Sequence, residues 1–196
     1  DRGGTFTDVV ARRPDGTLVC EKLLSDNPEQ YRDAAVQGIR NLLNLRPDTP
    51  IPDNMLDHVK MGTTVATNAL LERAGDRTLF VTTRGFGDAL RIGYQSRPRL
   101  FDLDIKLPSM LYEHMIEIDE RIDVDGNVII KLDDAKAREH LESAFANGIR
   151  AVAIALMHGY RHTEHEEKLG AICRDVGFTQ VSLSHEASPL IKLVAR

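Results

Sequence analysis

The chain has 196 residues, 42% of them hydrophobic and 28% charged, as expected of a folded globular protein long enough to bury a sizeable core. Its formal net charge is -5, and it contains no block of basic residues. The sequence therefore shows no sign of the positively charged surface by which proteins bind nucleic acid or an anionic membrane. No apolar run reaches the ~18 residues that cross a bilayer, and Cys20 and Cys173 form no C-x-x-C pair, so we expect a cytoplasmic protein with small, diffusing partners.

The first third of the chain predicts an antiparallel hairpin followed by helices. The turn residues at 14–16 separate two strand-like runs. Asn27 followed by Pro28, with Gln30 behind it, is an N-cap signature ahead of an apolar helical face. The predicted elements are strands at 5–10 and 17–24, a helix from 27 to 43, a strand at 58–61 and a helix at 63–73.

The remainder of the chain alternates strands and helices. The run at 151–157 is continuously apolar, as in a strand buried on both faces, and Gly148 and Gly177 are typical helix terminators. The predicted elements are a strand at 79–83, a short helix at 87–92, a loop at 97–108, a hairpin of 117–124 with 128–132, a helix at 134–147, a strand at 151–157, a helix at 164–176 and a strand at 180–184. This order predicts an α/β fold with a mixed sheet and flanking helices, with a possible subdivision into 1–110 and 111–196.

The opening stretch DRGGTFTDVV concentrates groups that suit phosphate. Gly3 and Gly4 can adopt positive φ and bring backbone amides close to a ligand, while Thr5 and Thr7 add hydroxyl donors. Asp1 could hold Mg²⁺ through water, as is usual beside phosphates. A type I′ hairpin turn, for which Gly-Gly is a favoured pair, explains the same residues.

A second polar stretch, MGTTVATNALLER, spans 61–73. Gly62, Thr63 and Thr64 stand where a strand meets a helix, and a helix amino terminus attracts an oxyanion. Thr67 and Asn68 lie one turn further along. An ordinary helix capped by a threonine is the structural alternative.

Several arginines lie among glycines in the stretch TTRGFGDALRIGYQSRPRLFDL. Guanidinium groups in a loop suit a carboxylate or phosphate, although at least two of these four arginines are expected to be ordinary surface residues. They are Arg84, Arg91, Arg97 and Arg99. No G-x-x-x-x-G-K-[ST] motif is present, and the G-x-G at 85–87 lacks the third glycine of a dinucleotide fingerprint, because Leu90 stands there.

His158, His162 and His165 invite a metal-site interpretation. Thr163 with Glu166 instead reads as a capping box that starts a helix, and the carboxylates and spacing of known zinc motifs are missing. The sequence therefore favours a capped helix here over a metal site.

Together these stretches resemble a known family. DRGGTFTDVV, MGTTVATNALLER, TTRGF and RPRLFDL, in this order and spacing, are similar to the amino-terminal half of the hydantoinase A and 5-oxoprolinase family. The similarity continues through KLLSDNPEQYRDAAVQGIR, YEHMIEIDERI, MHGYRHTEHEEKLG and GFTQVSLSHEASPLIKLVAR. Since the chain begins inside a motif and without methionine, we expect it to be part of a longer protein.

The resemblance implies a ribonuclease-H-like half of the fold shared by actin, sugar kinases and heat-shock proteins. It also implies ATP and Mg²⁺ as cofactors; some enzymes of this kind use K⁺ as well, but no residue here identifies a K⁺ site. The resemblance, together with the chemistry of the arginine-bearing stretch, predicts the site residues. By role they are Asp1, Thr64 and Asn68 for catalysis, Gly3, Gly4, Thr5, Thr7, Gly62 and Thr63 for the cofactor, Thr67, Arg84 and Arg97 for the substrate, and Asp1 for Mg²⁺ through water.

The activity implied is that of an ATP-dependent 5-oxoprolinase, a hydrolase of glutathione metabolism that opens 5-oxo-L-proline to glutamate after phosphorylation of the lactam oxygen. Other possibilities are an ATP-dependent N-methylhydantoinase, a ketone carboxylase subunit, and a non-catalytic nucleotide-sensing or subunit-docking module. The family also implies a small cyclic amide as substrate and either a carboxy-terminal half or a hydantoinase B-like partner. We expect a homo-oligomer, no nucleic-acid or membrane partner, and no activity in the isolated chain, which lacks part of the phosphate clamp.

Met61 bears on the choice of substrate. Many hydantoinase-type members of the family carry histidine at this position, and 5-oxoprolinases resemble this chain in carrying methionine. A histidine could donate a hydrogen bond to the second ring carbonyl that a hydantoin has and 5-oxoproline lacks. Alternatively, Met61 ends a buried strand and only fills core.

Overall fold

The computed structural model describes residues 1–46, 49–96, 99 and 101–196. The chain forms two compact units, Asp1–Gly75 and Asp76–Arg196. The sequence suggested a division near residue 110. The unit boundary lies earlier because the strand that follows Asp76 pairs with two later strands of the second unit.

The first unit is a hairpin with helices. Its elements are strands β1 (Phe6–Arg12) and β2 (Leu18–Leu24), helix α1 (Ala34–Leu42), a 3-10 turn at Asp53–Met55 and helix α2 (Val65–Glu72). The two strands pair antiparallel, as predicted, with Phe6 opposite Leu24. Gly38 allows α1 to approach β1 closely, because a Cβ at this position would lie 2.6 Å from Cγ2 of Val9.

Two predictions for the first unit were wrong. Helix α1 begins at Ala34, where Asp33 accepts a hydrogen bond from the Val36 amide at 2.9 Å, and not at Asn27. The Asn27 carbonyl instead closes a separate turn through the amides of Gln30 and Tyr31. No strand forms at 58–61; only a single parallel bridge occurs nearby, between Thr63 and Arg2.

The second unit is a parallel sheet flanked by helices. Its elements are β3 (Thr78–Thr83), α3 (Ala89–Ile92), β4 (His114–Ile118), β5 (Arg121–Ile122), β6 (Val128–Ile130), α4 (Asp134–Ala146), β7 (Ala151–Ala155), α5 (Glu164–Val176), β8 (Gln180–Leu183) and α6 (Ser184–Ala187). The four parallel strands lie in the order β4-β3-β7-β8. Buried residues of the sheet, α4 and α5 form its core, including Leu79, Val81, Leu141, Ile154, Leu169 and Leu183.

The predicted α/β class is confirmed, but the expected mixed sheet is not formed. The described residues build a wholly parallel sheet, and the antiparallel pairs β1-β2 and β5-β6 stand as separate ribbons. The predicted strand at 117–124 is interrupted after Ile118, where Glu120 turns into the protein interior. Among the described residues, no helix is long and apolar enough to span a membrane.

Cys173 supplies a test of the second unit's packing. The side chain is 0% exposed on α5, and burial raises the pKa of its thiol to about 12. At pH 8 the thiolate, which is the reactive form, would then be present in only about one molecule in ten thousand. We expect Cys173 to resist alkylation by iodoacetamide in the native protein and to react fully after denaturation, as read by peptide mass spectrometry. Rapid native labelling would mean that α5 is not held in the core.

Candidate functional site

The backbone of Arg2 joins the two polar stretches of the first unit. Its amide donates to the carbonyl of Gly62 at 2.9 Å, and its carbonyl accepts from the Thr64 amide at 3.3 Å and from the Thr63 hydroxyl at 3.2 Å. The Arg2 guanidinium forms an ion pair with Asp33 at 3.2 Å. This contact joins residues that are 61 positions apart in the sequence. It therefore sets the stretch 1–7 beside the stretch 62–68.

The opening loop is a narrow turn at the start of β1. Arg2 bridges to Thr7, and the Gly3 amide donates to the Phe6 carbonyl at 2.9 Å. Neither Gly3 nor Gly4 has a positive φ, so a type I′ turn is not formed. The glycines instead permit close approach, because a Cβ on Gly3 would lie 3.0 Å from the Phe6 carbonyl oxygen.

The second stretch meets the opening loop at two places. A Cβ on Gly62 would lie 3.6 Å from Oδ1 of Asp1, so the exposed Asp1 carboxylate faces Gly62. A Cβ on Gly4 would lie 3.2 Å from Nδ2 of Asn68, which is half-buried in α2. A carboxylate, an amide side chain and glycine backbone thus converge on one short surface.

Threonines mark the start of α2 without a full cap. Thr64 occupies the N-cap position, but its side chain makes no capping bond. Thr63 Oγ1 accepts from the Val65 amide at 3.2 Å while donating to the Arg2 carbonyl. Thr64 and Thr67 are exposed, which leaves their hydroxyls accessible to a ligand.

The two threonines of the opening loop differ in accessibility. Thr5 is exposed. Thr7 is 1% exposed, and its hydroxyl lies 3.0 Å from that of Ser25. The position of Thr7 suits support of the loop from beneath, whereas Thr5 faces solvent.

Arg84, one of the two predicted substrate arginines, belongs to the second unit. Arg84 lies 2.7 Å from Asp119, and Lys136 lies 2.7 Å from the same carboxylate. The hydrogen bond from Lys136, with the charge of Arg84 as a weaker cause, holds the pKa of Asp119 below its ordinary value. Arg97 lies outside the described residues, and Arg91 and Arg99 are exposed.

The three histidines are held by different partners. His158 and His162 contact the carbonyls of Ile122 and Val124, each at 3.1 Å, while His165 Nδ1 lies 2.7 Å from the buried Glu120. Among the described residues, no group of three acidic, histidine or cysteine side chains converges to hold a metal ion.

The capping-box prediction at α5 was wrong. Thr163 bonds Glu167 at 2.7 Å and makes no side-chain cap, and Glu166 is 0% exposed. The sequence contained a signal for this burial. Glu166 precedes the apolar stripe of Leu169 and Cys173 by three and seven residues, which places its carboxylate on the core face of the helix.

Comparison with known proteins gives the chain a family context. The family model described as "Hydantoinase/oxoprolinase N-terminal region" matches residues 1–177. A 5-oxoprolinase of Saccharomyces cerevisiae is 41% identical over 234 residues, a match that covers 100% of this chain and 18% of the relative. The chain therefore spans less than one fifth of the length of that relative.

Two solved structures share the fold. The ATP-dependent caprolactamase from Pseudomonas jessenii matches with a TM-score of 0.75 and 27% identity, covering 99% of this chain and 29% of the other. A nucleotide-free structure of acetone carboxylase matches with a TM-score of 0.76 and 21% identity, covering 98% of this chain and 29% of the other. The second likeness concerns the fold alone.

Proposed function

Because the chain belongs to the hydantoinase/oxoprolinase family by its amino-terminal region, we propose that it supplies one side of the phosphate site of an ATP-dependent 5-oxoprolinase. The supporting observation is the backbone junction at Arg2, which sets the opening loop beside the start of α2. The relatives named 5-oxoprolinase and the caprolactamase named ATP-dependent support the choice of a cyclic amide and of ATP.

The residues of this junction fit a nucleotide with its metal. The close approach at Gly3 and Gly4 leaves a surface that a Cβ would fill, and backbone amides there suit phosphate oxygens. Asp1 offers one exposed carboxylate, and Mg²⁺ beside phosphates commonly uses one or two carboxylates plus waters. No K⁺ ligand is proposed.

ATP bound with Mg²⁺ would supply the phosphoryl group that activates the lactam oxygen of 5-oxoproline, with ADP as the leaving group. Water would then add to the activated carbonyl carbon and the ring C–N bond would break, which frees the amino group and leaves an acyl phosphate that a second water hydrolyses to glutamate and phosphate. Asp1 would orient the hydrated metal. Gly62, Thr63, Thr64 and Asn68 would contact the transferred group from the start of α2, and Thr67 the substrate. This side of the site would contribute positioning and charge stabilisation.

We assign the two units to the ribonuclease-H-like half of an actin, sugar kinase and heat-shock protein fold. The antiparallel hairpin that follows the proposed phosphate loop and the α/β organisation support this assignment. The intact enzyme would work in the cytoplasm with its remaining portion, fused or as a hydantoinase B-like partner, and as a homo-oligomer. Its exposed free Cys20 suits a reducing compartment.

The position of Met61 supports 5-oxoproline as the substrate. Its side chain is 61% exposed beside Gly62, so it does not fill core as the alternative interpretation required. We expect the intact enzyme to prefer 5-oxo-L-proline over hydantoin and N-methylhydantoin by kcat/KM, measured as ADP release by one preparation. Equal or better opening of a hydantoin would transfer the assignment to the hydantoinases, and turnover with acetone would transfer it to the ketone carboxylases.

A substitution sharpens this test. Met61→His should raise the kcat/KM ratio of hydantoin to 5-oxoproline, because the imidazole can donate to the second ring carbonyl. Met55→His is the matched control, since Met55 is also an exposed methionine of the first unit, at 53%. A shift of the same size in both variants would remove Met61 from the substrate site.

The isolated 196-residue chain is expected to hydrolyse no ATP in response to 5-oxoproline. A one-sided phosphate site leaves the transition-state charge uncompensated. The measurement is ADP production by the purified chain with Mg-ATP, with and without 5-oxoproline. Substrate-stimulated ADP production would show that the chain is a complete catalyst.

A further inference from the structure

Ser25 lies outside both polar stretches but holds the opening loop by three hydrogen bonds. It follows directly after β2 and is 8% exposed. Its amide donates to the Thr5 carbonyl at 2.9 Å, and its hydroxyl donates to the Gly3 carbonyl at 2.7 Å and lies 3.0 Å from the Thr7 hydroxyl. One buried residue therefore touches three residues of the loop.

The hydroxyl protons in this cluster have a fixed order. Ser25 has one hydroxyl hydrogen, and that hydrogen is donated to the Gly3 carbonyl. In the contact between the two hydroxyls, Thr7 must therefore be the donor and Ser25 the acceptor. The Thr7 hydrogen is thus directed into the protein, so Thr7 supports the loop and does not donate to a ligand.

The bond to Gly3 also fixes the direction of the next amide. The Gly3–Gly4 peptide is trans, so the Gly3 carbonyl and the Gly4 amide point in opposite directions. With the carbonyl held toward Ser25, the Gly4 N–H points away from Ser25. Gly4 lies in no helix or strand. Among the described residues, its N–H donates to no backbone carbonyl.

We propose that Ser25 is a positioning residue that aims the Gly4 amide at a phosphate oxygen of the bound nucleotide. The proposal rests on the proposed function of the opening loop as a phosphate site. Without the Ser25 hydroxyl, the Gly3–Gly4 peptide can rotate, because glycine on both sides imposes little barrier. The amide would then be disordered in the free protein. Ordering it on binding would make the binding free energy of the nucleotide less favourable.

The test uses the intact protein and Mg-ADP as the probe, titrated by calorimetry. Ser25→Ala should weaken the Kd for Mg-ADP by about tenfold, the effect of losing one well-placed hydrogen bond. The KM for ATP should rise by a similar factor while the KM for 5-oxoproline stays within about twofold. Ser25→Thr, which keeps the hydroxyl, should restore binding, and the exposed Ser143→Ala on α4 is the matched control.

Thr7→Val separates positioning from packing. It removes the other hydroxyl of the pair but leaves the bond from Ser25 to Gly3 in place, so it should lower the melting temperature as Ser25→Ala does and raise the Kd far less. Equal Kd changes in the two variants, or an unchanged Kd in Ser25→Ala, would overturn the proposal.

Failure of the proposed function would give a different result. If the wild-type protein binds Mg-ADP but does not open 5-oxoproline, only the substrate assignment is overturned. The comparison of the Ser25 variants then still decides whether Ser25 positions the amide. A wild-type protein that does not bind Mg-ADP would overturn both proposals.

Discussion

Asp1→Asn in the intact enzyme is expected to lower kcat by about a hundredfold or more, the usual scale for losing one electrostatic contact to a phosphoryl-transfer site. The asparagine keeps the size of the side chain but loses the negative charge that would orient hydrated Mg²⁺. The Asp1 carboxylate is exposed and faces Gly62, so the change should alter the free energy of unfolding by less than about 0.5 kcal/mol.

Asp8→Asn is the matched control for this prediction. Asp8 lies on β1, directly after the opening loop that contains Asp1, and its carboxylate forms an ion pair with Lys22 at 3.3 Å, with both side chains more than half exposed. Such surface pairs contribute little, so kcat should stay near the wild-type value. The measurement is steady-state ADP release over a range of Mg²⁺ concentrations. Near-normal turnover of Asp1→Asn at limiting Mg²⁺ would leave Asp1 with a structural role only.

Local sequence signals were sufficient to predict much of the second unit. Helix α5 spans Glu164–Val176 as predicted, because an amphipathic stripe and the terminating Gly177, with its φ of +113°, act within one segment. β7 and β8 were likewise located by short apolar runs. Sheet composition could not be predicted in this way, since pairing partners are chosen by tertiary contacts and not by local pattern.

The start of α1 shows how a local signal can mislead. Asn27 followed by Pro28 is typical of a helix start, and the sequence therefore predicted that the helix begins there. In the fold, the helix starts at Asp33, whose carboxylate both caps α1 and forms an ion pair with Arg2. That ion pair joins residues 31 positions apart, which is beyond the reach of a local rule.

The sequence predicted which stretches form the candidate site better than it predicted their internal organisation. The family resemblance grouped the stretches at 1–7 and 62–68 in one site, and the backbone of Arg2 joins them, while the roles of the individual residues stay predictions. The contrast between Thr5 and Thr7 was not predictable, because both are hydroxyl residues of one motif. Only the position of Ser25 after β2 makes one of them a buried support.

Glu166 carries the largest expected effect on stability. Its carboxylate, 0% exposed, accepts four hydrogen bonds from the ends of β7 and β8. Oε1 receives the Leu156 amide at 2.8 Å and the Ser184 hydroxyl at 2.6 Å. Oε2 receives the His185 amide at 3.3 Å and Nδ1 of the same residue at 2.7 Å. A buried carboxylate with every partner in place is costly to alter.

Glu166→Gln should lower the local stability of the second unit by about 3 kcal/mol. A hydroxyl or an imidazole can turn to accept a hydrogen bond from the new amide group, but a backbone N–H cannot. Each oxygen of Glu166 receives one backbone N–H, from Leu156 or from His185, so either orientation of the glutamine leaves an N–H facing an NH₂ group.

Hydrogen exchange of the intact protein, followed by mass spectrometry on peptides that cover β7 and β8, measures this loss without assuming that a multidomain chain unfolds in two states. The neighbouring Glu167→Gln is the matched control. Its side chain is exposed and accepts one bond, from Thr163 at 2.7 Å, which a glutamine oxygen can also accept. If both variants exchange like the wild type, the four bonds to Glu166 contribute no net stability, and the ends of β7 and β8 are held by apolar packing alone.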